Sequence, residues 1–336
     1  MIRVVIAEDS PVVAEIVRAV LEQDPEFRVV GVARHGAEAV ALTRTLRPDL
    51  VTMDIHMPVL DGIEATRAIM EEAPTPILVI SSAVHEESTL AFRAIQAGAV
   101  DVIEKPLAPL QDQYARLDLV RRARMVSGIT PIRRLRRRTG AVEEPVQLRT
   151  GHVLGIAAST GGPAALLAVL SALPREFPCP ILVVQHIAHG FLHGLVDWLG
   201  GQVGMPVRVA ERGEVVKPGA VVFAPEEHHM LLAPDRRIVL TRDPPIDGHR
   251  PSATALFESI AESCGRSAVG VVLTGMGRDG ARGLLKLRES GGRALCQDEA
   301  SSLIYGMPRA AIENGAAERA VGLDSMATEI VSTLRR

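Results

Sequence analysis

Residues Ile2-Arg-Val-Val-Ile-Ala-Glu-Asp-Ser-Pro-Val-Val-Ala-Glu-Ile-Val-Arg-Ala-Val-Leu21 hold one complete structural unit. Ile2–Ala7 is a short β-branched run, and two acids, Glu8 and Asp9, close it. Val13, Ile16, Val17, Val20 and Leu21 then recur at helical spacing. The unit is strand, acidic turn, helix. Moving outward, the pattern repeats, with strands expected at Arg28–Val32, Leu50–Met53, Ile77–Ile80 and Val100–Ile103. Five strands, four intervening helices and a fifth helix after them imply a parallel sheet covered on both faces. Its crossovers should be right-handed.

A second α/β segment begins near Gly151. Strands are expected at Val153–Ala157, Ile181–Val184, Ala220–Phe223 and Ala268–Leu273, and helices at Pro163–Leu173, Thr254–Cys264 and Gly280–Glu289. Met230–Leu232 and Ile238–Leu240 flank a Pro-Asp-Arg-Arg turn and read as a β-hairpin. The second segment is therefore expected to be doubly wound, with a largely parallel sheet and one hairpin. Domain bounds follow as 1–108, a linker over 109–150, and 151–336. The linker carries Arg121, Arg122, Arg124, Arg133, Arg134, Arg136, Arg137 and Arg138. Without interleaved aromatics such a cluster reads as a solvating extension rather than a nucleic-acid patch.

The composition sets outer limits. A chain of 336 residues, 47% hydrophobic and 23% charged, fits two folded domains of ordinary size. A net charge of -3 favours neither nucleic acid nor an anionic membrane surface as partner. Cys179, Cys264 and Cys296 form no C-x-x-C pair and are expected to be reduced thiols in a cytoplasmic protein. The early acids Glu8 and Asp9 interrupt any signal-peptide pattern. No apolar run approaches the roughly 20 residues of a membrane span.

Open α/β sheets gather ligands at the carboxyl ends of their strands. In the first segment Glu8 and Asp9 end the first strand, Asp54 the third and Ser81 the fourth, while Lys105 follows the fifth. Any one of these could be an ordinary loop residue. Together they form an oxygen-rich group whose mutual repulsion a hard divalent cation such as Mg²⁺ would relieve. The motifs AEDS at 7–10, MDIHMPVLDG at 53–62, ISS at 80–82 and IEKP at 103–106 resemble the receiver domain of bacterial response regulators. The resemblance implies a flavodoxin-like domain in which Asp54 accepts a phosphoryl group from a sensor histidine kinase. Glu8, Asp9, Asp54 and the carbonyl of His56 would hold Mg²⁺, and Ser81 and Lys105 would contact the phosphoryl group.

In the second segment the first strand runs into Ser159-Thr-Gly-Gly-Pro163. A serine at a tight strand-to-helix turn is well placed for nucleophilic attack, although Gly-rich turns of this kind also bind phosphates. Two further strands end in His186 and, through a short loop, in Asp279. Ser, His and Asp at three strand ends carry the chemistry of a catalytic triad. His186, His189 and His193, or the pair His228-His229, could instead hold a metal, but no H-E-x-x-H pattern is present. His249 reads as a turn residue that could line the site, and Asp243 and Asp247 as solvated loop acids.

The motifs IAASTGGP at 156–163, VVQHI at 183–187, LAPD at 232–235, HRPSATALF at 249–257, VLTGMGRDGARG at 272–283 and SSLIYGMPRAAI at 301–312 resemble the catalytic domain of chemotaxis protein-glutamate methylesterases. The resemblance implies Ser159 as nucleophile, His186 as base and Asp279 as its orienter. It also implies an oxyanion contact from the Met276 N–H and a hydrogen bond from Thr160 near the histidine. It further implies hydrolysis of glutamyl methyl esters and deamidation of glutamines on chemoreceptor helices. No cofactor is implied there, and the receiver is expected to restrain the esterase until Asp54 is phosphorylated. Ala157, in place of a glycine, and Leu192–Leu199 depart from the usual pattern.

Overall fold

A computed structural model of the chain describes residues 1–82, 84–106, 113–129, 151–317 and 319–335. They divide into two compact units, each treated by itself. The first contains β1 (Ile2–Ala7), β2 (Phe27–Ala33), β3 (Leu50–Met53), β4 (Ile77–Ser81) and β5 (Asp101–Glu104). They form one parallel sheet in the order β2-β1-β3-β4-β5. This is the flavodoxin-like order, whose switch point lies between β1 and β3. Glu8 and Asp9 leave one side of that point and Asp54 the other.

Helices Pro11–Glu22, Gly36–Leu46, Gly62–Glu72 and His85–Ala97 connect the strands. The first begins as its sequence dictates: Ser10 caps it, with its hydroxyl accepting from the Val13 N–H, and Pro11 enters its first turn. Val13, Val17, Val20 and Leu21 are buried on its inner face.

A fifth helix, Gln113–Ser127, lies within the segment expected as a linker. It buries Leu119, Ala123 and Val126, so it belongs to the first unit's core. The arginine run therefore has no single role. Arg122 bonds Asp101 at 2.7 Å and Asp118 at 2.9 Å, and its side chain is largely buried. Arg124 pairs with Glu26 at 2.9 Å and lies over the Phe27 ring. Arg133, Arg134, Arg136, Arg137 and Arg138 lie outside the described residues.

The second unit contains β6 (Val153–Ala158), β7 (Ile181–Gln185), β8 (Val207–Val209), β9 (Val221–Phe223), β10 (His229–Leu232), β11 (Ile238–Thr241), β12 (Ala268–Val272), β13 (Arg293–Gln297) and β14 (Arg319–Val321). Seven of them form a parallel sheet in the order β14-β13-β12-β6-β7-β9-β8, and β10 pairs with β11 as the expected hairpin. β8, β13 and β14 are not evident in the sequence. β8 and β14 are three-residue edge strands, and β13 has no β-branched residue.

Helix Ala253–Cys264 packs Leu256, Phe257 and Ile260 into the core beside Leu284 and Leu287 of helix Ala281–Glu289. Each such large apolar side chain contributes about 1.5–3 kcal/mol of burial free energy. That packing fixes the start of Ala253–Cys264, which carries part of the site below. Among the described residues no helix is long and apolar enough to cross a membrane.

Candidate active site

In the first unit the acids converge as their strand positions require. One carboxylate oxygen from each of Glu8, Asp9 and Asp54 lies within 4.8 Å of the others. Glu8 and Asp54 are buried and Asp9 is exposed. Lys105 Nζ reaches Asp54 Oδ2 at 2.9 Å and Glu8 Oε2 at 3.1 Å. The Lys105 N–H bonds the Ser81 carbonyl, which sets the lysine beside the end of β4.

Burial pushes the Glu8 carboxyl up to about 7, the Asp54 charge adds to the rise, and Lys105 only partly opposes it. Burial also raises Asp54 in spite of its bond to Lys105. Two raised acids mark a group short of positive charge, and one lysine does not supply enough. Ser81 Oγ is buried without a hydrogen-bond partner, a polar group left open toward a ligand. Hard oxygen donors short of positive charge fit Mg²⁺. His56 is exposed, and its side chain has no part in the group.

In the second unit the site spans β12, β6 and β7, three adjacent strands at the switch point of the sheet. Ser159 follows β6, held by its N–H to the Thr274 carbonyl at 3.0 Å and by the Gly162 N–H to its own carbonyl at 2.7 Å. Gly161 takes a left-handed conformation, φ 76°, that lets the turn enter helix Gly162–Ala172 at once. His186 follows β7, and its N–H bonds the Ala158 carbonyl at 2.9 Å. Nucleophile and base candidates therefore leave neighbouring strands side by side.

His186 Nε2 donates to Asp279 Oδ2 at 2.9 Å. Nδ1 is buried and has no hydrogen-bond partner. The histidine–aspartate pair is closed, while His186 makes no hydrogen bond to the Ser159 side chain. Thr160 is buried, and its carbonyl accepts from Thr274 Oγ1 at 3.1 Å. Gly275 lies against Ser159, so close that a β-carbon on it would sit 2.7 Å from Ser159 Cβ. Met276, the next residue, thus leaves from beside the nucleophile candidate, with its side chain partly exposed.

Asp279 is set at the start of helix Ala253–Cys264. Its Oδ1 accepts from Ser252 Oγ at 2.7 Å and from the N–H groups of Thr254 and Gly280, and its Oδ2 accepts from the Ala253 N–H at 2.7 Å. Burial pushes the Asp279 carboxyl up, but the His186 bond and charge, the Ser252 hydroxyl and the Ala253 N–H hold it well below the usual range. It therefore stays an anion beside His186.

The rival readings resolve differently. His189 and His193 are exposed, as are Asp243 and Asp247. His228 Nδ1 donates to the Glu226 carbonyl, and its Nε2 accepts from Arg242. Buried His229 donates through Nε2 to the Pro244 carbonyl and accepts at Nδ1 from the Ser252 N–H. Both rings are engaged in local bonds rather than aimed at a shared metal. His249 does line the site: its ring stacks on His186 with centroids 3.9 Å apart.

Gln185 is a residue that sequence reasoning missed. Its Nε2 donates to the carbonyls of both Ser159 and His186 at 2.8 Å, tying the two turns together. Ser252 was missed as well. It caps helix Ala253–Cys264, and nothing local shows that it would also bond Asp279.

Comparison with known proteins follows the same division. Residues 154–330 match the family described as CheB methylesterase, and residues 4–113 match the response regulator receiver domain. A protein-glutamate methylesterase/protein-glutamine glutaminase of Myxococcus xanthus is 42% identical over 99% of this chain and 97% of its own length. One from Anaeromyxobacter dehalogenans is 43% identical over the whole of both chains. The crystal structure of the Thermotoga maritima CheB methylesterase catalytic domain, 34% identical, covers 55% of this chain and 99% of its own at a TM-score of 0.53. With a receiver matched ahead of a methylesterase segment, and similarity running the full length of its relatives, the chain belongs to the CheB methylesterase family.

Proposed function

We propose that the chain is a serine hydrolase, controlled by phosphorylation of Asp54, that hydrolyses glutamyl methyl esters on chemoreceptors and deamidates particular glutamines there. The substrate class comes from the relatives' names. The observation that carries the chemistry is the His186–Asp279 pair with a free Nδ1 on the strand beside Ser159.

Because Nε2–H is committed to Asp279, Nδ1 holds the basic lone pair. The ring nitrogens thus exchange the roles they have in the serine-protease Ser-His-Asp triad, where Nε2 takes the proton and Nδ1 faces the aspartate. Ser159 Oγ attacks the ester carbonyl, and Nδ1 takes its proton. The Met276 N–H, beside the nucleophile, stabilises the oxyanion. The tetrahedral intermediate collapses, His186 returns the proton, and methanol leaves, or ammonia from a glutamine. Water, activated the same way, releases glutamate from acyl-Ser159. No cofactor is assigned to this site.

In the receiver, Glu8, Asp9, Asp54 and the His56 carbonyl would hold Mg²⁺, which would offset the charge of an incoming phosphoryl group. Asp54 accepts that group from a sensor histidine kinase, and Ser81 Oγ and Lys105 Nζ are the donors that meet it. We place the receiver's end after helix Gln113–Ser127, followed by an arginine-rich linker and then the esterase, in a cytoplasmic protein. Phosphorylation changes local charge and so shifts a two-state restraint on the esterase.

The Glu8 shift predicts how cation binding depends on pH. Between its ordinary 4.5 and about 7 the folded chain holds a proton on Glu8 that the unfolded chain has lost. Stability of the receiver therefore falls as pH rises through that window. A bound cation must displace the same proton, so Mg²⁺ affinity at pH 6 should be about tenfold weaker than at pH 8. Titration of the full chain with Mg²⁺ at the two pH values checks this, and Glu8→Gln should flatten the difference. An equal pH dependence in wild type and Glu8→Gln would refute it.

The regulatory assignment is tested by methanol release from methylated receptor membranes, with and without a small phosphodonor. The phosphodonor should accelerate wild type and leave Asp54→Ala at its basal rate. An Asp54→Ala enzyme that still responds would remove Asp54 from this role.

A further inference from the structure

We infer that His249 is a positioning residue for the base: its ring holds the plane of the His186 imidazole so that Nδ1 stays aimed at the nucleophile turn. The inference deepens the esterase reading and rests on Ser159 being the nucleophile.

A single hydrogen bond fixes one atom of a ring, not its plane. The bond from Nε2 to Asp279 leaves the imidazole free to rock about the Nε2···Oδ2 axis, and Nδ1 has no bond of its own to stop it. The second constraint is a face. The rings of His186 and His249 lie 3.9 Å apart at an interplanar angle of 4°. Parallel contact at van der Waals distance opposes rocking. The same geometry excludes proton relay between the two rings. Imidazole protons lie in the ring plane, so stacked rings cannot hydrogen-bond to each other.

A positioning ring must itself be held, and its loop is tied at several points. The Ile246 and His249 N–H groups bond each other's carbonyls at 3.1 and 2.9 Å around Asp247 and Gly248, both left-handed. That is the two-residue turn which an Asp-Gly pair favours. Arg250 bonds Glu227 at 2.6 Å and reaches the Arg242 and Asp243 carbonyls at 3.3 and 3.4 Å. Buried His229 bridges the loop's base, from the Pro244 carbonyl to the Ser252 N–H. Ser252 and Ala253, three and four residues beyond His249, in turn bond Asp279. One segment thus serves both constraints on His186: it holds Asp279, the anion at the Nε2 edge, and it carries the ring on the imidazole face.

The test uses full-length wild type, His249→Ala, His249→Phe and Ser159→Ala, all with saturating phosphodonor. Methanol release gives kcat and KM, and the rate of covalent labelling by a serine-directed fluorophosphonate reports the nucleophile without a receptor substrate. His249→Ala should lower kcat and labelling in the same ratio, about 10- to 100-fold, with KM within about twofold. His249→Phe keeps a flat face but no titratable nitrogen, and it should recover most of the loss. The inference is overturned if His249→Ala labels at the wild-type rate, if only KM changes, or if His249→Phe is no better than His249→Ala. A Ser159→Ala protein that still labels and releases methanol would instead overturn the nucleophile assignment beneath it.

Discussion

Ser159→Ala is expected to lower methanol release by about 10⁵- to 10⁶-fold, which in practice is to background. The size follows from the mechanism: without Oγ there is no acyl-enzyme, and the Met276 N–H and substrate binding alone leave only residual catalysis. The fold should be untouched. The bonds that Ser159 makes to Thr274 and Gly162 use its main chain, and the Gln185 amide also meets its main-chain carbonyl. Alanine keeps all three. Thermal melting should therefore match wild type within a few degrees, as for a mutation worth under about 1 kcal/mol. Readable turnover by a folded Ser159→Ala protein would mean that another group attacks the ester.

Asp279→Asn should cost both rate and stability. A carboxamide that offers its NH₂ to His186 Nε2 forces the ring proton onto Nδ1, the nitrogen that must be free to accept from Ser159. Loss of the correct tautomer lowers kcat by about 10⁴-fold in the serine-protease Ser-His-Asp triad, and a similar loss is expected here. The stability argument is separate. Ala253 N–H and His186 both donate to Oδ2, so an NH₂ there sets donor against donor, at about 1–3 kcal/mol for the unsatisfied buried group. The wild-type carboxyl lies well below its ordinary 3.8. Its stabilising share is therefore complete above that value and lost only as pH falls through the lower folded value. Wild type should keep this share through mild acid, and the asparagine variant should lack it throughout. Urea unfolding at pH 7 and pH 5 should show a similar deficit at both. A kcat within tenfold of wild type would contradict the tautomer argument.

Asp54 and the Ser159 site were legible in the chain to different extents. Asp54 and its neighbours could be read because each sits where a buried strand ends, and strands show themselves by local composition. Ser159 could be placed on a strand-to-helix turn in the same way. Its pairing with His186 and Asp279 depended on strand order. Nothing local says that β12 lies beside β6, since 109 residues separate Ser159 from Ala268, where β12 begins. The resemblance of the motifs supplied that link before the structure did.

Other features eluded the sequence for identifiable reasons. β13 was hidden because Arg293–Gln297 has no β-branched residue, though the sheet buries most of it. A fifth helix was expected after the last strand, but its segment was read as an exposed, arginine-rich extension, and the burial of Leu119, Ala123 and Val126 on one face of Gln113–Ser127 had no local mark. Gln185 read as part of a strand end, and only the meeting of two turns gave its amide two carbonyls to bond.

By itself the sequence determined the two α/β segments, the strand ends and the polar residues standing on them. Alternation, helical spacing and turn chemistry act over a few residues and leave a local record. Tertiary structure alone decided which strand ends adjoin, which nitrogen of His186 bonds Asp279, what holds Asp279 ionised, and that His249 stacks on His186. Each of these depends on groups far apart in the chain meeting at one point, and contacts of that kind are set by packing order rather than by any local pattern.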